Sequence, residues 1–238
     1  MALDMQSIYI LASGGSRAME QLETTSNNLA NVNTDGFKKM VIKEMSQRLD
    51  ENGGDANHLF VFPRFERSML DLSQGQLKQT HRPLDLAIEG NGYFVIQTKN
   101  EQLLTRSGHF FLDTAGKLID RNGNAVLSDQ NKPILLDPAK DFTVAPDGAI
   151  YQEGKEVARL RLRAVNDVEA AGDTYYRAKG EAQKLQAKVH QGYLEMANVN
   201  PVLEMTALID AQRKFEIYGN LIKSIDQLNN KTNEIGKA

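Results

Sequence analysis

Metal binding and proton transfer would fall first to the four histidines of this 238-residue chain, His58, His81, His109 and His190. They are scattered, and none stands at ligand spacing with another histidine or a carboxylate on a helix, as a zinc site built on a helix requires. Cysteine is absent, which removes thiolate ligands, disulfides and thiol redox chemistry together. Gly90-Asn91-Gly92 has the glycine content of a phosphate loop. It leads into Tyr93-Phe94-Val95-Ile96, a strand rather than a helix N-terminus, so it reads as a turn whose glycines take positive φ. Arg159, Arg161 and Arg163 alternate with Leu160, Leu162 and Ala164, the pattern of a strand with one basic and one apolar face. The basic face meets either solvent or an acidic neighbour, where rim charges set register. No cluster of titratable groups has a recognisable catalytic spacing, so neither enzymatic activity nor a cofactor is expected.

The elements that could position such residues are unevenly distributed. The apolar share is 41%, the charged share 25% and the formal charge -3, a balance that gives nucleic acid no footing. The run from Met5 to Ala12 follows Asp4 with no Lys or Arg ahead of it, which makes a poor signal peptide. No stretch approaches the roughly 20 apolar residues of a membrane span.

Helical spacing is confined to the two ends. Met5, Ile8, Ala12, Gly15, Met19, Leu22, Ser26 and Leu29 recur at steps of three and four, predicting a helix over the first 30 residues with one narrow stripe. Gly14-Gly15 costs about 1 kcal/mol per glycine against alanine, so this helix needs a partner. It stops in Asn27, Asn28, Asn31 and Asn33, followed by Thr34-Asp35-Gly36. A second helix starts near Pro201, capped by Asn198 or Asn200, and repeats Leu208, Ala211, Phe215, Tyr218, Ile222 and Ile225. Periodicity leaves open whether the helices pair with each other or lie on the middle of the chain.

That middle is β-rich. Turn signals at Gly90-Asn91-Gly92, Asp113–Gly116, Asn122-Gly123, Pro146–Gly148 and Glu153-Gly154 separate short apolar runs, predicting consecutive hairpins. The fold class expected is mixed α and β: long terminal helices pairing as a coiled coil, with a central β-rich domain. Residues 1–36 and 198–238 form the helical part, 37–58 a linker ending in the flexible Glu51–Asn57, and 59–197 the β domain. Candidate assembly residues are Ile8, Gly15, Leu22 and Leu29 on the first stripe and Leu208, Phe215 and Ile222 on the second. Asn27, Asn28, Asn31 and Asn33 join them, since their amides suit specific hydrogen bonds, as do the three arginines.

Four strings share a further likeness. TSNNLANVNTDGFK (Thr25–Lys38) resembles the N-terminal signature of bacterial flagellar rod and hook axial proteins. QGQLKQTHRPLDLAIEGNGYFVI (Gln74–Ile96), LTRSGHFFLDTAGKLIDRNGNAVL (Leu104–Leu127) and VHQGYLEMANVNPVLEMTALIDAQRKFE (Val189–Glu216) are similar to later blocks of that family, in the same order. Ala197 departs from the serine usual before Asn-Val. The resemblance implies a structural subunit of the flagellar basal-body rod that self-associates and assembles with other rod and hook axial proteins. It also implies delivery by the flagellar type III export apparatus without a cleaved signal, and a place in the periplasmic rod. Hooks carry extra outer β domains, so the short chain points to a rod subunit, proximal before distal. A distal rod or hook-type subunit is the alternative, and a secreted scaffold or ligand-binding β domain the alternative class. Under this reading the terminal helices stay mobile until neighbours order them, and deleting Met1 to Gly36 is expected to abolish polymerisation while the β domain still folds.

Overall fold

Residues with helical apolar spacing occur only at the chain ends, and the computed structural model, which describes residues 2–46 and 63–235, places its two helices there. Helix α1 spans Ala2–Ala30 and α2 spans Pro201–Ile235. The start of α2 is set by Asn200, whose Oδ1 accepts from the Val202 and Leu203 amides at 3.0 and 3.2 Å. That satisfies two of the donors a helix start leaves free, with Pro201 in the position that needs none. Asn198, the other expected cap, binds elsewhere.

Strands β1 (Met40–Ser46) and β2 (Pro63–Leu70) pair with each other. Then follow β3 (Leu77–Gln79), β4 (Leu86–Gly90), β5 (Gly92–Gln97) and β6 (Gln102–Thr105). Three short strands come next: β7 (Phe111–Leu112), β8 (Leu118–Ile119) and β9 (Ala125–Val126). After β10 (Phe142–Val144), β11 (Ala149–Gln152) and β12 (Lys155–Arg159) come β13 (Leu162–Ala164), β14 (Val168–Gly172) and β15 (Tyr175–Ala178). Strands β16 (Ala187–Gln191) and β17 (Tyr193–Glu195) lead to α2.

The chain sorts into two compact units. A helical unit holds Met1–Ala30, Met40–Met69 and Asn200–Ala238, and a β unit holds Asn31–Lys39 and Leu70–Val199. The expected linker is therefore not linker throughout: Met40–Ser46, within 37–58, is strand β1. Met40, Val41 and Ile42 supply the β-prone start that the polar residues around them obscure. The loop Glu51–Asn57 lies outside the described residues.

The β unit centres on an antiparallel sheet ordered β14-β15-β6-β5-β9-β8-β7, with β13 also on β5. Phe94 and Ile96 of β5 enter a cluster with Leu86, Ile88, Phe110 and Ile150, while Tyr93 and Val95 enter a second with Leu104 and Tyr176. Strand β5 is thus buried on both faces, and Phe94 meets Phe110 edge-on with centroids 5.1 Å apart. Complete burial of such a side chain contributes roughly 1.5–3 kcal/mol.

The turns at Asp113–Gly116, Asn122-Gly123, Pro146–Gly148 and Glu153-Gly154 close the expected hairpins β7–β8, β8–β9, β10–β11 and β11–β12. Gly90–Gly92 does not. Strand β4 pairs with β16, and β5 with β6, β9 and β13, so the chain turns a corner between sheets. Gly90 takes φ +107°, and a Cβ there would lie 2.1 Å from the Gln186 carbonyl oxygen. Close approach of another backbone fixes this residue as much as its dihedral does.

Candidate assembly surface

The two helices of the helical unit contact each other and run antiparallel. Gly14 faces Tyr218, and Asn28 Nδ2 lies 3.4 Å from Glu204 Oε2, so α1 advances the same fourteen residues that α2 retraces. At about 1.5 Å per residue the seam between these contacts is roughly 21 Å long. A Cβ on Gly14 would sit 2.5 Å from Cε1 of Tyr218, whereas one on Gly15 would have an ordinary 3.6 Å contact with Tyr218 Cβ. Gly14 thus admits the aromatic ring.

The buried face of α1 is displaced by one residue from the expected stripe. Ala18, Thr25 and Asn28 are buried, while Ala12, Met19 and Ser26 are exposed and Gly15, Leu22 and Leu29 are half-buried. The physical reason is that small and hydrogen-bonding residues line the seam while Met19 faces outward. On α2 the expected face is the observed one: Ala211 is buried and Leu208, Tyr218, Ile222 and Ile225 are half-buried, with Phe215 at the rim, 42% exposed. The side chain of Ile8 lies outside the described residues, as does His58.

A second apolar line runs along the outside of α2. Val202, Met205, Ile209, Ile217, Leu221 and Leu228 recur at helical spacing and are all more than two-fifths exposed, Val202 at 69%. Sequence reading missed this line because attention to one seam hides a second at an offset of a few residues. Large apolar groups in contiguous exposure mark surfaces that other proteins cover.

The asparagines divide. Asn28 is 1% exposed, its Oδ1 accepting from the Met40 amide at 2.8 Å and its Nδ2 donating to the Met40 carbonyl at 2.9 Å. Asn27 and Asn33 are exposed, and Asn31 receives the Thr34 hydroxyl at 3.2 Å in the turn that follows α1. The arginines divide too, because the chain leaves one sheet for another at Leu160. Arg159 closes β12 and pairs with Asp147 at 2.8 Å and Glu156 at 3.1 Å. Arg161 and Arg163 lie beside β5; Arg163 is exposed, and the buried Nη1 of Arg161 has no hydrogen-bond partner among the described residues. A single basic face is therefore not formed.

Sequence reading also missed a buried charge cluster in the β unit. Lys38 Nζ lies 2.7 Å from Glu195 Oε1, and Arg106 Nη1 lies 3.1 Å from Glu195 Oε2, with the Lys38 and Glu195 side chains fully buried. Glu195 Oε1 also accepts from the Gly75 amide, and Lys38 Nζ donates to the Ser73 carbonyl. Burial pushes the Lys38 ammonium below its ordinary range, and Glu195 beside it pulls the other way. The Tyr176 hydroxyl donates to the Gly36 carbonyl and accepts from the Lys38 amide; burial pushes this phenol up. Segment Asn31–Lys39 is thereby built into the β unit. A deletion reaching Gly36 would strip contacts from that unit, so the helix alone is better removed by a cut before Asn31. The signal was present in the family-like strings, since Lys38, Arg106 and Glu195 each fall inside one.

His109 lies on the rim of a polar recess of about 110 Å³ lined also by Asn33, Asp35, Asp120 and Tyr175. This is well under the roughly 300 Å³ at which small-molecule sites begin. Burial raises the Asp35 carboxyl despite the opposing pull of His109. Among the described residues no group of three or more His, Asp or Glu is placed to hold a metal ion, and no helix is long and apolar enough to cross a membrane.

Three family models match the chain: Flagella basal body rod protein over residues 8–38, Flagellar hook protein FlgE/F/G D1 domain over 87–152, and Flagellar basal body rod FlgEFG protein C-terminal over 190–235. The flagellar basal-body rod protein FlgF of Caulobacter vibrioides is 32% identical, covering 93% of this chain and 94% of that protein. FlgG of Bacillus subtilis is 29% identical (94% and 96% covered), and FlgF of Salmonella typhimurium 28% (96% and 97%). Terminal helices, a β-rich centre and relatives matched almost end to end agree, and the chain belongs to the flagellar basal-body rod protein family, as a structural subunit of the flagellum basal body.

Proposed function

We propose that the helical unit is the element by which this subunit builds the rod. Its inner seam pairs α1 with α2 as a coiled coil, and the outer apolar line of α2 packs against helices of neighbouring copies and other axial proteins. The observation that carries this reading is the exposed row Val202, Met205, Ile209, Ile217, Leu221 and Leu228, which the subunit's own α1 leaves uncovered. An isolated helix draws most of its stability from burying such faces, so neighbours gain by covering it. The β unit, with its two apolar clusters and buried charges, is the rigid body that spreads torque over many contacts.

Delivery through the flagellar type III export apparatus without a cleaved signal, and a place in the proximal segment of the rod, belong to the same proposal. They are supported by the family and by the short stretch between the helices. The test is a strain lacking its own copy, complemented with a subunit carrying Val202→Ser, Met205→Ser and Ile209→Ser. The variant is expected to melt like the parent in its β unit, to be absent from isolated basal bodies, and to leave cells non-motile. Incorporation at the parental level with normal swimming would show that this face is not the contact.

A further inference from the structure

Lys39 is the last residue of the segment Asn31–Lys39 in the β unit, and Met40 opens the segment Met40–Met69 of the helical unit, so one of the chain's four passages between units falls at the Lys39–Met40 peptide. Each side of that peptide is held inside its own unit by an asparagine side chain. In the helical unit, Asn28 accepts from the Met40 amide at 2.8 Å and donates to the Met40 carbonyl at 2.9 Å. In the β unit, Asn198 Oδ1 accepts from the Lys39 amide at 2.7 Å. Asn198 Nδ2 donates to the carbonyls of Asp71 at 2.8 Å and Ser73 at 3.2 Å, and the Lys39 carbonyl accepts from the Asp71 amide at 2.8 Å.

Every backbone polar group of Lys39 and Met40 is therefore engaged, three of the four by asparagine side chains. Only a carboxamide offers a donor and an acceptor from one side chain in this geometry; aspartate keeps the acceptor alone, and alanine neither. Asn28 does this at 1% exposure, where water cannot substitute for it. Neither residue acts as a helix cap: Asn200 caps α2, and Asn28 lies within the last turn of α1.

We propose that Asn28 and Asn198 are positioning residues, each holding within its own unit the backbone at one end of the Lys39–Met40 peptide and keeping that backbone stiff while the rod turns. The mechanical half rests on the rod reading above. The test has two arms on the full chain. Residue-resolved amide exchange should show the Met40 amide exchanging roughly three- to tenfold faster in Asn28→Ala, and the Lys39 amide likewise in Asn198→Ala, each without the other. In the complemented deletion strain, each variant should swim as the parent does in dilute medium and lose speed relative to it as viscosity rises, a readout that a loss of folding would not produce. Unchanged exchange at both amides would overturn the clamps. Faster exchange with parental swimming at every viscosity would overturn their mechanical role. A deletion strain that swims without any copy would instead remove the rod reading, leaving the exchange result to stand or fall alone.

Discussion

Alanine placed at Gly14 and at Gly15 should have opposite effects, although the two residues are adjacent on one helix. Either substitution gains about 1 kcal/mol of helix propensity. At Gly15 the added methyl meets Tyr218 Cβ at 3.6 Å, an ordinary contact, so the gain is kept. At Gly14 it would lie 2.5 and 2.6 Å from Cε1 and Cζ of the Tyr218 ring, so the ring must shift to admit it. Overpacking of this kind costs about 1–3 kcal/mol, which leaves Gly14→Ala between neutral and about 2 kcal/mol less stable than the parent. The two variants should then differ by about 1–3 kcal/mol. At about 2–4 °C per kcal/mol for a chain of this size, that separates their melting midpoints, followed by circular dichroism at the helix band. Tyr218→Ala should abolish the difference, because it removes the colliding ring. If both alanines raise helix stability equally, α1 and α2 do not pack through Gly14, and the antiparallel seam inferred from it is wrong.

Replacing Glu195 with alanine strands Lys38 and Arg106 as buried, uncompensated cations; urea unfolding should show a loss of about 3–5 kcal/mol, whereas Lys38→Met, which keeps the Glu195–Arg106 pair, should cost clearly less. The Tyr175 phenol, desolvated and donating to Asp120 at 2.6 Å, is pushed up to about 12. A folded value above the unfolded one adds stability that is complete below pH 10 and disappears as pH rises toward 12, so the parent should lose stability over that window more steeply than Tyr175→Phe in a pH series of melts. Asp35 is likewise raised by burial, so its contribution favours folding in acid and is lost as pH rises through its folded value. Asp35→Asn should therefore be more stable than the parent at neutral pH and lose that advantage in acid, as parallel melts would show.

Both terminal helices were legible because spacing of three and four is a local signal, and so were four hairpins, three with turns that carry Gly with Asp or Asn and one with Glu153-Gly154. The phase of the α1 seam was not, because burial there follows shape and hydrogen bonding: Thr25 and Asn28 go inside while Met19 stays out. Pairings between distant segments leave no local mark, so β4 with β16 and β3 with β17 could not be read from turns. Nor could the cluster of Lys38, Arg106 and Glu195, whose members are 89 and 157 positions from Glu195 along the chain. Asn198 and Asn200 show the limit most plainly: as residue types they are equivalent cap candidates, and only tertiary contacts make one a helix cap and the other a backbone clamp.

Because the chain has no cysteine, a single thiol can be placed on the outer line of α2 and its surroundings read directly. The decisive measurement is the reactivity of Met205→Cys toward a thiol reagent in the free subunit and in isolated basal bodies that contain it. Met205 is 52% exposed in the subunit, so its replacement should react freely there and, on the proposed packing of neighbouring helices, be protected in the basal body. Equal reactivity in both would contradict assembly through this face.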